Sequence, residues 1–296
     1  MPEGRSAYVN MLFEILEPFG LFALLYKIYH LYIIMLNLNK IGRPLCKVEK
    51  GKYNGYIVSV SDQMGGNEDE DKEELIKEFK RLKIPNDSKF QHMPDTTRER
   101  EILYITGCSG SGKSTYTRKF IEQLKKAKKD IPIYLFSALP DDESLDSVKP
   151  LRIQLDETLI EDPIEVKEFD NSILIFDDID VIPDKKIREA VYKIMNLGLE
   201  VGRHYKINMV ITNHLPTNGR DTRRILNEAS SFTYFPHSAN AKIKYFLTEY
   251  VGVDKKMITY FKKQNTRAVT IFKNYPMCYL CEREVGLLNA TEDEDD

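Results

Sequence analysis

Apolar and polar positions alternate in blocks along the middle of the chain. Short apolar runs recur there at residues 102–105, 131–139, 151–155, 172–176 and 207–212. Between the first two runs, residues 113–129 carry Phe120, Ile121 and Leu124 at helical spacing, and a second helical pattern follows Pro183. This βα alternation predicts an α/β fold in which a mainly parallel sheet is flanked by helices.

The two ends of the chain follow other patterns. Residues 44–62 alternate and contain an Asn-Gly turn signal, which predicts an N-terminal β-hairpin. An acidic run follows, and then a helical pattern that Pro85 ends, with Leu75, Ile76, Phe79 and Leu82 on its apolar face. We expect a polar connector from there to about residue 100. Residues 268–288 predict a C-terminal hairpin of two strands about residues 274–276.

These patterns divide the 296 residues into four parts: an apolar extension or docking helix at 1–34, a hairpin, acidic linker and helix at 35–99, a larger α/β domain at 100–290 and an acidic tail at 291–296. The hydrophobic share, 42%, is enough for a compact α/β core. Four cysteines without a dense framework indicate a reducing compartment, and we expect no zinc site at Cys278 and Cys281.

Residues 18–38 are apolar over about the length of a bilayer span. Lys27 and His30 lie near the middle of this segment, and a central lysine costs about 2.5–3.5 kcal/mol on insertion scales. We therefore favour a docking helix, or an extension upstream of a later start at Met35, over association with a membrane.

The stretch GCSGSGKST, residues 107–115, joins the first apolar run to the first helical pattern. Its spacing matches the phosphate-binding loop, in which glycines let backbone N–H groups converge on phosphate oxygens. A Gly/Ser-rich linker is the alternative, and the flanking strand and helix patterns disfavour it. We predict that ATP is bound by Gly107, Cys108, Ser109, Gly110, Ser111, Gly112, Lys113, Ser114 and Thr115. Within this set, Lys113 would meet the β- and γ-phosphates and Ser114 the Mg²⁺.

Asp177 and Asp178 follow an apolar strand pattern, at the sheet edge where ligands gather in open α/β folds. We predict that Asp177 holds Mg²⁺ and that Asp178 orients the attacking water. Asn213 ends the next apolar run and is our first choice for the γ-phosphate sensor. Thr212 and His214 stand behind it, and a loop histidine without a ligand role is the favoured interpretation of His214.

Four stretches resemble the genome-packaging ATPases of large double-stranded DNA viruses, the poxvirus-type branch of the FtsK–HerA superfamily. They are GCSGSGKST, ILIFDD, GRHYKINMVITNH and TRRILNEASSFTYFP, and the similarity covers roughly residues 100–275. The resemblance implies a RecA-like core with an extra strand between the nucleotide motifs, and Arg203 as an arginine finger. It also implies a homo-oligomeric ring that translocates double-stranded DNA, a capsid or portal partner, and a location in the virion or the host-cell cytoplasm.

Basic clusters support a polyanion partner without sequence specificity, because lysine and arginine contacts to phosphates are sufficient for a motor. The clusters comprise Lys125, Lys126, Lys128 and Lys129, then Arg220, Arg223 and Arg224, and finally Lys255, Lys256, Lys262, Lys263 and Arg267. Two alternatives stay open: a small-molecule kinase with an arginine lid at residues 220–224, and a nucleotide-dependent assembly protein with little turnover.

Overall fold

The computed structural model of this chain describes residues 35–38, 40, 42–61, 80–217, 220–238 and 242–288. The predicted N-terminal extension, most of the acidic linker and helix, and the acidic tail lie outside these residues. Within the described part of the chain, no helix is both long and apolar enough to cross a bilayer.

Ten of the described strands form one sheet, in the order β4-β14-β13-β12-β11-β6-β10-β9-β7-β8. Their bounds are β4 Arg81–Lys83, β6 Ile102–Thr106, β7 Ile133–Ser137, β8 Leu151–Arg152, β9 Ile173–Asp177, β10 Asn208–Asn213, β11 Ser231–Tyr234, β12 Val269–Phe272, β13 Cys278–Leu280 and β14 Glu284–Leu287. The strands from β11 to β8 in that order pair in parallel, which confirms the predicted fold class. The resemblance implied an extra strand, and β10 indeed separates β6 from β9.

Helices cover both faces of the parallel part. They are α1 Lys113–Ala127, α2 Glu143–Asp146, α3 Thr158–Glu161, α4 Lys185–Val201, α5 Arg220–Glu228, α6 Ile243–Phe246 and α7 Lys255–Lys263. Successive residues of β6 point to opposite faces, so Leu103 and Ile105 join the core under α1, whereas Tyr104 joins the core with Met195 and Leu199 of α4.

The remaining described strands, β1 Met35–Asn37, β2 Arg43–Glu49, β3 Ile57–Ser61 and β5 Lys89–His92, form a small sheet in the order β1-β3-β2-β5. The predicted N-terminal hairpin is β2 and β3, which pair antiparallel, and Gly55 in their loop has a φ of +89°. Strand β5 was not predicted, because only four residues of the presumed connector form it. The small sheet packs on β12–β14 through a core that includes Leu45, Val58 and Phe272.

Two other expectations need correction. Leu82 is not on the predicted helix but in β4, where it pairs with Val285 of β14 and packs against the core under the small sheet. Pairing with a distant strand thus overrides the local helical spacing. The C-terminal hairpin about residues 274–276 exists as β12 and β13, and a third strand, β14, continues it antiparallel.

Candidate nucleotide-binding site

The loop at residues 107–112 connects the end of β6 to the start of α1, as its motif predicts. Gly110 and Gly112 have φ values of +74° and +109°, a region that residues with a side chain rarely adopt. A Cβ on Gly107 would lie 2.6 Å from the Phe235 ring. The glycines are therefore required by the backbone path of the loop.

Several hydrogen bonds hold the loop in place. The Gly107 N–H donates to the Asn213 carbonyl at 3.2 Å, and the Ser111 N–H donates to the Cys108 carbonyl at 3.1 Å. Gly112 caps α1 without a side chain, and the first turn of α1 carries no acidic residue. The N-terminus of α1, where Ser114 and Thr115 lie, therefore retains the unsatisfied N–H groups and positive dipole that favour an anion.

Lys113 is buried, and its ammonium group lies among polar atoms of the site. The Nζ atom donates to the Gly107 carbonyl at 3.0 Å, and it lies 3.2 Å from Nδ1 of His214 and 3.4 Å from Oδ2 of Asp178. The ammonium group is thus held by protein atoms at the position where phosphates are expected.

Asp178 follows β9 in a left-handed conformation, with a φ of +45°. Its Oδ2 atom lies 3.1 Å from Nε2 of His214, whereas its buried Oδ1 atom has no hydrogen-bond partner among the described residues. Burial raises the pKa of Asp178 above its ordinary value, and Lys113 partly opposes this shift. The unpartnered oxygen is an acceptor to which a metal-bound water or an attacking water could donate.

Asp177 has a different environment. Its Oδ1 atom accepts from the Thr212 hydroxyl at 2.7 Å, and its Oδ2 atom accepts from the Ser137 hydroxyl at 3.2 Å. Burial raises its pKa. Ser137 was missed at the level of sequence, although it ends the apolar run of β7 at the same edge of the sheet.

Asn213 and His214, the two sensor candidates, make different contacts. The Asn213 amide donates to the Tyr104 hydroxyl at 3.2 Å and makes no described contact with Lys113 or Asp178. His214 is the residue that bridges them, so the structure brings the second-choice side chain to the centre of the site.

Arg203 lies in the turn between α4 and β10, exposed at the amino edge of the sheet. The phosphate loop lies at the carboxyl edge, and β10 has six residues, which span about 20 Å. Glu200, which could have held Arg203 in place, lies 3.5 Å from Arg224 instead. Arg203 is therefore remote from the phosphate loop of its own chain.

Arg267 is a residue whose place the sequence did not indicate. Its Nε atom donates to the Ser111 carbonyl at 3.3 Å, and its guanidinium group lies beside Gly112. In the sequence it belongs to a lysine-rich cluster, and its position directly before β12 was the available signal.

The residues present fit a magnesium nucleotide. The unpartnered Asp178 oxygen, the Ser114 hydroxyl on the first turn of α1 and the loop N–H groups are oxygen ligands and anion-binding donors of the required kind. Among the described residues, no group of three or more His, Cys, Asp or Glu side chains could form a separate metal centre.

Known proteins resemble this chain over different lengths. The "Uncharacterized protein V3" of Sputnik virophage is 39% identical over 245 residues, which cover 82% of this chain and 94% of that protein. A family model described as Nephrocystin 3, N-terminal, matches residues 82–169.

Solved structures also resemble it. The genome packaging NTPase B204 from Sulfolobus turreted icosahedral virus 2, in complex with sulfate, is 15% identical with a TM-score of 0.46, over 62% of this chain and 97% of that one. The pCW3 conjugation coupling protein TcpA is 14% identical with a TM-score of 0.41, over 82% and 76% of the respective chains.

The sequence identity with the virophage protein, which extends over most of both chains, shows that the two proteins are homologous. The chain belongs to the family of Sputnik virophage protein V3.

Proposed function

We propose that this member of the V3 family is an ATP-hydrolysing motor that translocates double-stranded DNA and packages a viral genome into a capsid. The observation that carries the ATPase assignment is the convergence of Lys113, Asp178 and His214 beside the phosphate loop. The packaging role is supported by the four motif stretches and by kinship with a virophage protein. Such a motor would act in the virion or the host cytoplasm, with a capsid or portal component as partner.

Each polar side chain at this edge has a defined task in the proposal. Lys113 exchanges its contact with the Gly107 carbonyl for the β- and γ-phosphates. Ser114 and Asp177 would hold Mg²⁺, which when bound would neutralise phosphate charge and polarise the γ-phosphate. The Ser137 and Thr212 hydroxyls fix the orientation of Asp177.

Asp178 is the proposed acceptor for the proton of the attacking water. His214 binds one oxygen of Asp178 and so directs the other into the site, and a buried carboxylate with a raised pKa is a better base than an exposed one. We now assign the γ-phosphate sensor role to His214, since Asn213 is turned toward Tyr104.

Helix α7 is the proposed contact for DNA phosphates. Ile258 and Phe261 are buried, whereas Lys255, Lys256, Lys262 and Lys263 are exposed. The other clusters are partly engaged within the protein: Lys125 donates to the Val148 carbonyl and Lys128 to the Glu99 carbonyl. Contacts of this type give affinity that is independent of sequence and falls with salt.

In the candidate lid of the kinase alternative, Arg223 and Arg224 have partners within the protein. Arg224 lies 3.5 Å from Glu200, and the Arg223 guanidinium lies 5.9 Å from the centre of the Tyr250 ring, so both side chains have partners away from the loop. The third candidate function, a nucleotide-dependent assembly protein with little turnover, is tested by the experiment that follows.

The direct test is phosphate release by the full chain with and without duplex DNA, with Lys113→Ala as the control. The proposal expects release that depends on Lys113 and rises with duplex DNA of any sequence. ATP turnover that does not change with DNA would contradict the motor proposal. Phosphate transfer to an added nucleoside would establish a kinase. Nucleotide binding without turnover would favour the assembly protein.

The proposed ring is tested by mixing variants. Because Arg203 lies at the edge opposite to its own loop, it can meet only the nucleotide of a neighbouring subunit, where an arginine finger contributes about 10³–10⁵ in rate. Arg203→Ala and Lys113→Ala subunits, inactive alone, should regain partial activity when combined. No recovery in demonstrably mixed oligomers would remove Arg203 from the mechanism.

A further inference from the structure

A cavity of about 250 Å³ adjoins the phosphate loop on the side away from Asp178. The walls are formed by α1, the β11–β12 edge, strand β5 of the small sheet, and residues 280–282 at the end of β13, which include the acid Glu282. The side chains used below are Lys89, His92, Tyr116, Lys119, Phe235 and Arg267.

We propose that this cavity binds the nucleoside half of the nucleotide, so that strand β5 of the small sheet is a wall of the nucleotide site. The inference rests on the proposed function, because the triphosphate must lie on the loop for its nucleoside to reach the cavity.

The direction of the bound nucleotide follows from the contacts of Lys113. Its ammonium group points to Asp178 and His214, which follow β9 and β10, so the γ-phosphate end lies on that side of β6. The sheet order places β11 and β12 on the other side of β6. The α-phosphate and the nucleoside therefore extend toward β11 and β12, across Gly112 and Thr115, and both of these residues line the cavity.

The walls suit a polar ligand with a flat apolar part. Phe235 and Tyr116 supply aromatic surface, and Arg267, Lys89 and Lys119 supply cations. Burial, followed by the neighbouring Lys89, lowers the pKa of Lys119, so these two ammonium groups lie near each other in partly desolvated surroundings. Ligand pockets commonly measure about 300–1,000 Å³, so a space of this size suits a nucleoside whose phosphates lie outside it.

Strand β5 is fixed to the loop helix rather than loosely apposed to it. The Tyr116 hydroxyl lies 3.1 Å from Nδ1 of His92 and 2.5 Å from the Thr270 hydroxyl. The His92 ring also packs against Phe120, with ring centres 4.6 Å apart. Because Tyr116 follows Thr115 directly in α1, the small sheet and the nucleotide-binding turn are held as one unit.

The test compares ATP with inorganic tripolyphosphate, which lacks the nucleoside, by calorimetric titration of the full chain. Arg267→Ala and Lys119→Ala should each weaken ATP about tenfold, the effect of losing one charged contact, and leave tripolyphosphate within about twofold. Lys185→Ala, which removes an exposed lysine of α4 that lies outside the cavity and pairs with Glu189, should change neither affinity. Equal weakening of both ligands would overturn the inference, because these residues would then act only through the phosphates or the loop.

Photocrosslinking of wild-type protein with 8-azido-ATP gives an answer that does not depend on variants. Labelled peptides should include residues 89–92 or residues 267–270, and excess ATP should suppress the labelling. Labelling confined to other segments would overturn the inference while leaving the ATPase proposal intact. A wild-type chain that does not bind ATP would overturn both.

Discussion

Two carboxylates in different regions of the main sheet, Glu284 fully buried and Asp178 largely buried, each face two basic side chains. Glu284 lies in the antiparallel part, where it accepts from the hydroxyls of Tyr260 at 2.6 Å and Tyr279 at 2.5 Å, and lies 3.3 Å from Lys83 and 3.7 Å from Arg81. Asp178 lies in the parallel part between Lys113 and His214, with one oxygen unpartnered.

The difference shows how burial of a similar group can serve the fold or a ligand. At Glu284 every partner is supplied by the chain, and two phenol groups anchor the last strand to α7 and β13. At Asp178 the partners are a lysine and a histidine that a phosphate would attract, and the free oxygen is available to a further ligand. A desolvated acid without its full set of hydrogen bonds costs stability, so its retention indicates function.

The largest expected effect comes from removing the cation that faces Asp178. Lys113→Ala should lower ATP turnover by about 10³-fold, because charge on the transferred phosphoryl group is no longer neutralised. Lys83→Ala is the matched variant, since it removes the exposed lysine that faces Glu284. It should leave turnover unchanged and cost less than about 1 kcal/mol of unfolding free energy. Similar turnover in the two variants would contradict the comparison.

The aspartate pair should separate binding from chemistry. Asp178→Asn should retain ATP and lose turnover by about 10²-fold or more, because the water is no longer activated. Asp177→Asn should weaken Mg²⁺-dependent binding. Nucleotide titrations with and without Mg²⁺, together with single-turnover assays, distinguish these outcomes, and normal turnover in both variants would place the catalytic carboxylate elsewhere.

Glu284→Ala should act on the fold alone. The change leaves two buried phenol groups without an acceptor and should lower the free energy of unfolding by about 3 kcal/mol. Asp178→Asn should cost much less, because it relieves the burial of a charge. Urea titrations followed by circular dichroism measure both values, and a larger loss for Asp178→Asn would reverse the assignment of the two regions.

The smallest effect is a pH dependence that arises where the small sheet meets α1. Burial lowers the pKa of His92 from 6.5 to about 3, so the unfolded chain binds the proton more readily, and stability falls as the pH drops below 6.5. Over the first pH units below 6.5 the loss approaches about 1.4 kcal/mol per unit.

His92→Phe keeps an aromatic ring and cannot titrate, so it should lose about 1.4 kcal/mol less than wild type between pH 7.5 and 5.5. Burial raises the pKa of Glu101 to about 7, which opposes this trend, since that contribution is lost as the pH rises from 4.5 through 7. Because Glu101 is present in both proteins, its contribution to the pH dependence cancels when His92→Phe is compared with wild type. Equal pH dependence would show that His92 titrates normally.

The sequence was sufficient to predict those elements whose pattern is formed by residues close together in the chain. The loop motif predicted the β6–α1 connection because its glycines meet a backbone requirement at their own positions, and Asp177 and Asp178 were placed by the apolar strand before them. Strand β5 and the strand containing Leu82 were not predicted, because the strands that pair with them lie far away in the sequence. His214 was only a secondary sensor candidate and Arg267 only a member of a basic cluster, because their contacts with Lys113 and Gly112 arise only on folding.

The contacts that Lys113 makes within the protein compete with a triphosphate for the same ammonium group. The Gly107 carbonyl, His214 and Asp178 occupy the ammonium group that an incoming triphosphate needs, so part of the binding energy is spent displacing them. The same groups are ready to reclaim the lysine when the γ-phosphate leaves. In the proposed ATPase, these contacts would lower the affinity of the loop for every phosphate ligand and would favour release of the nucleotide after the γ-phosphate has left.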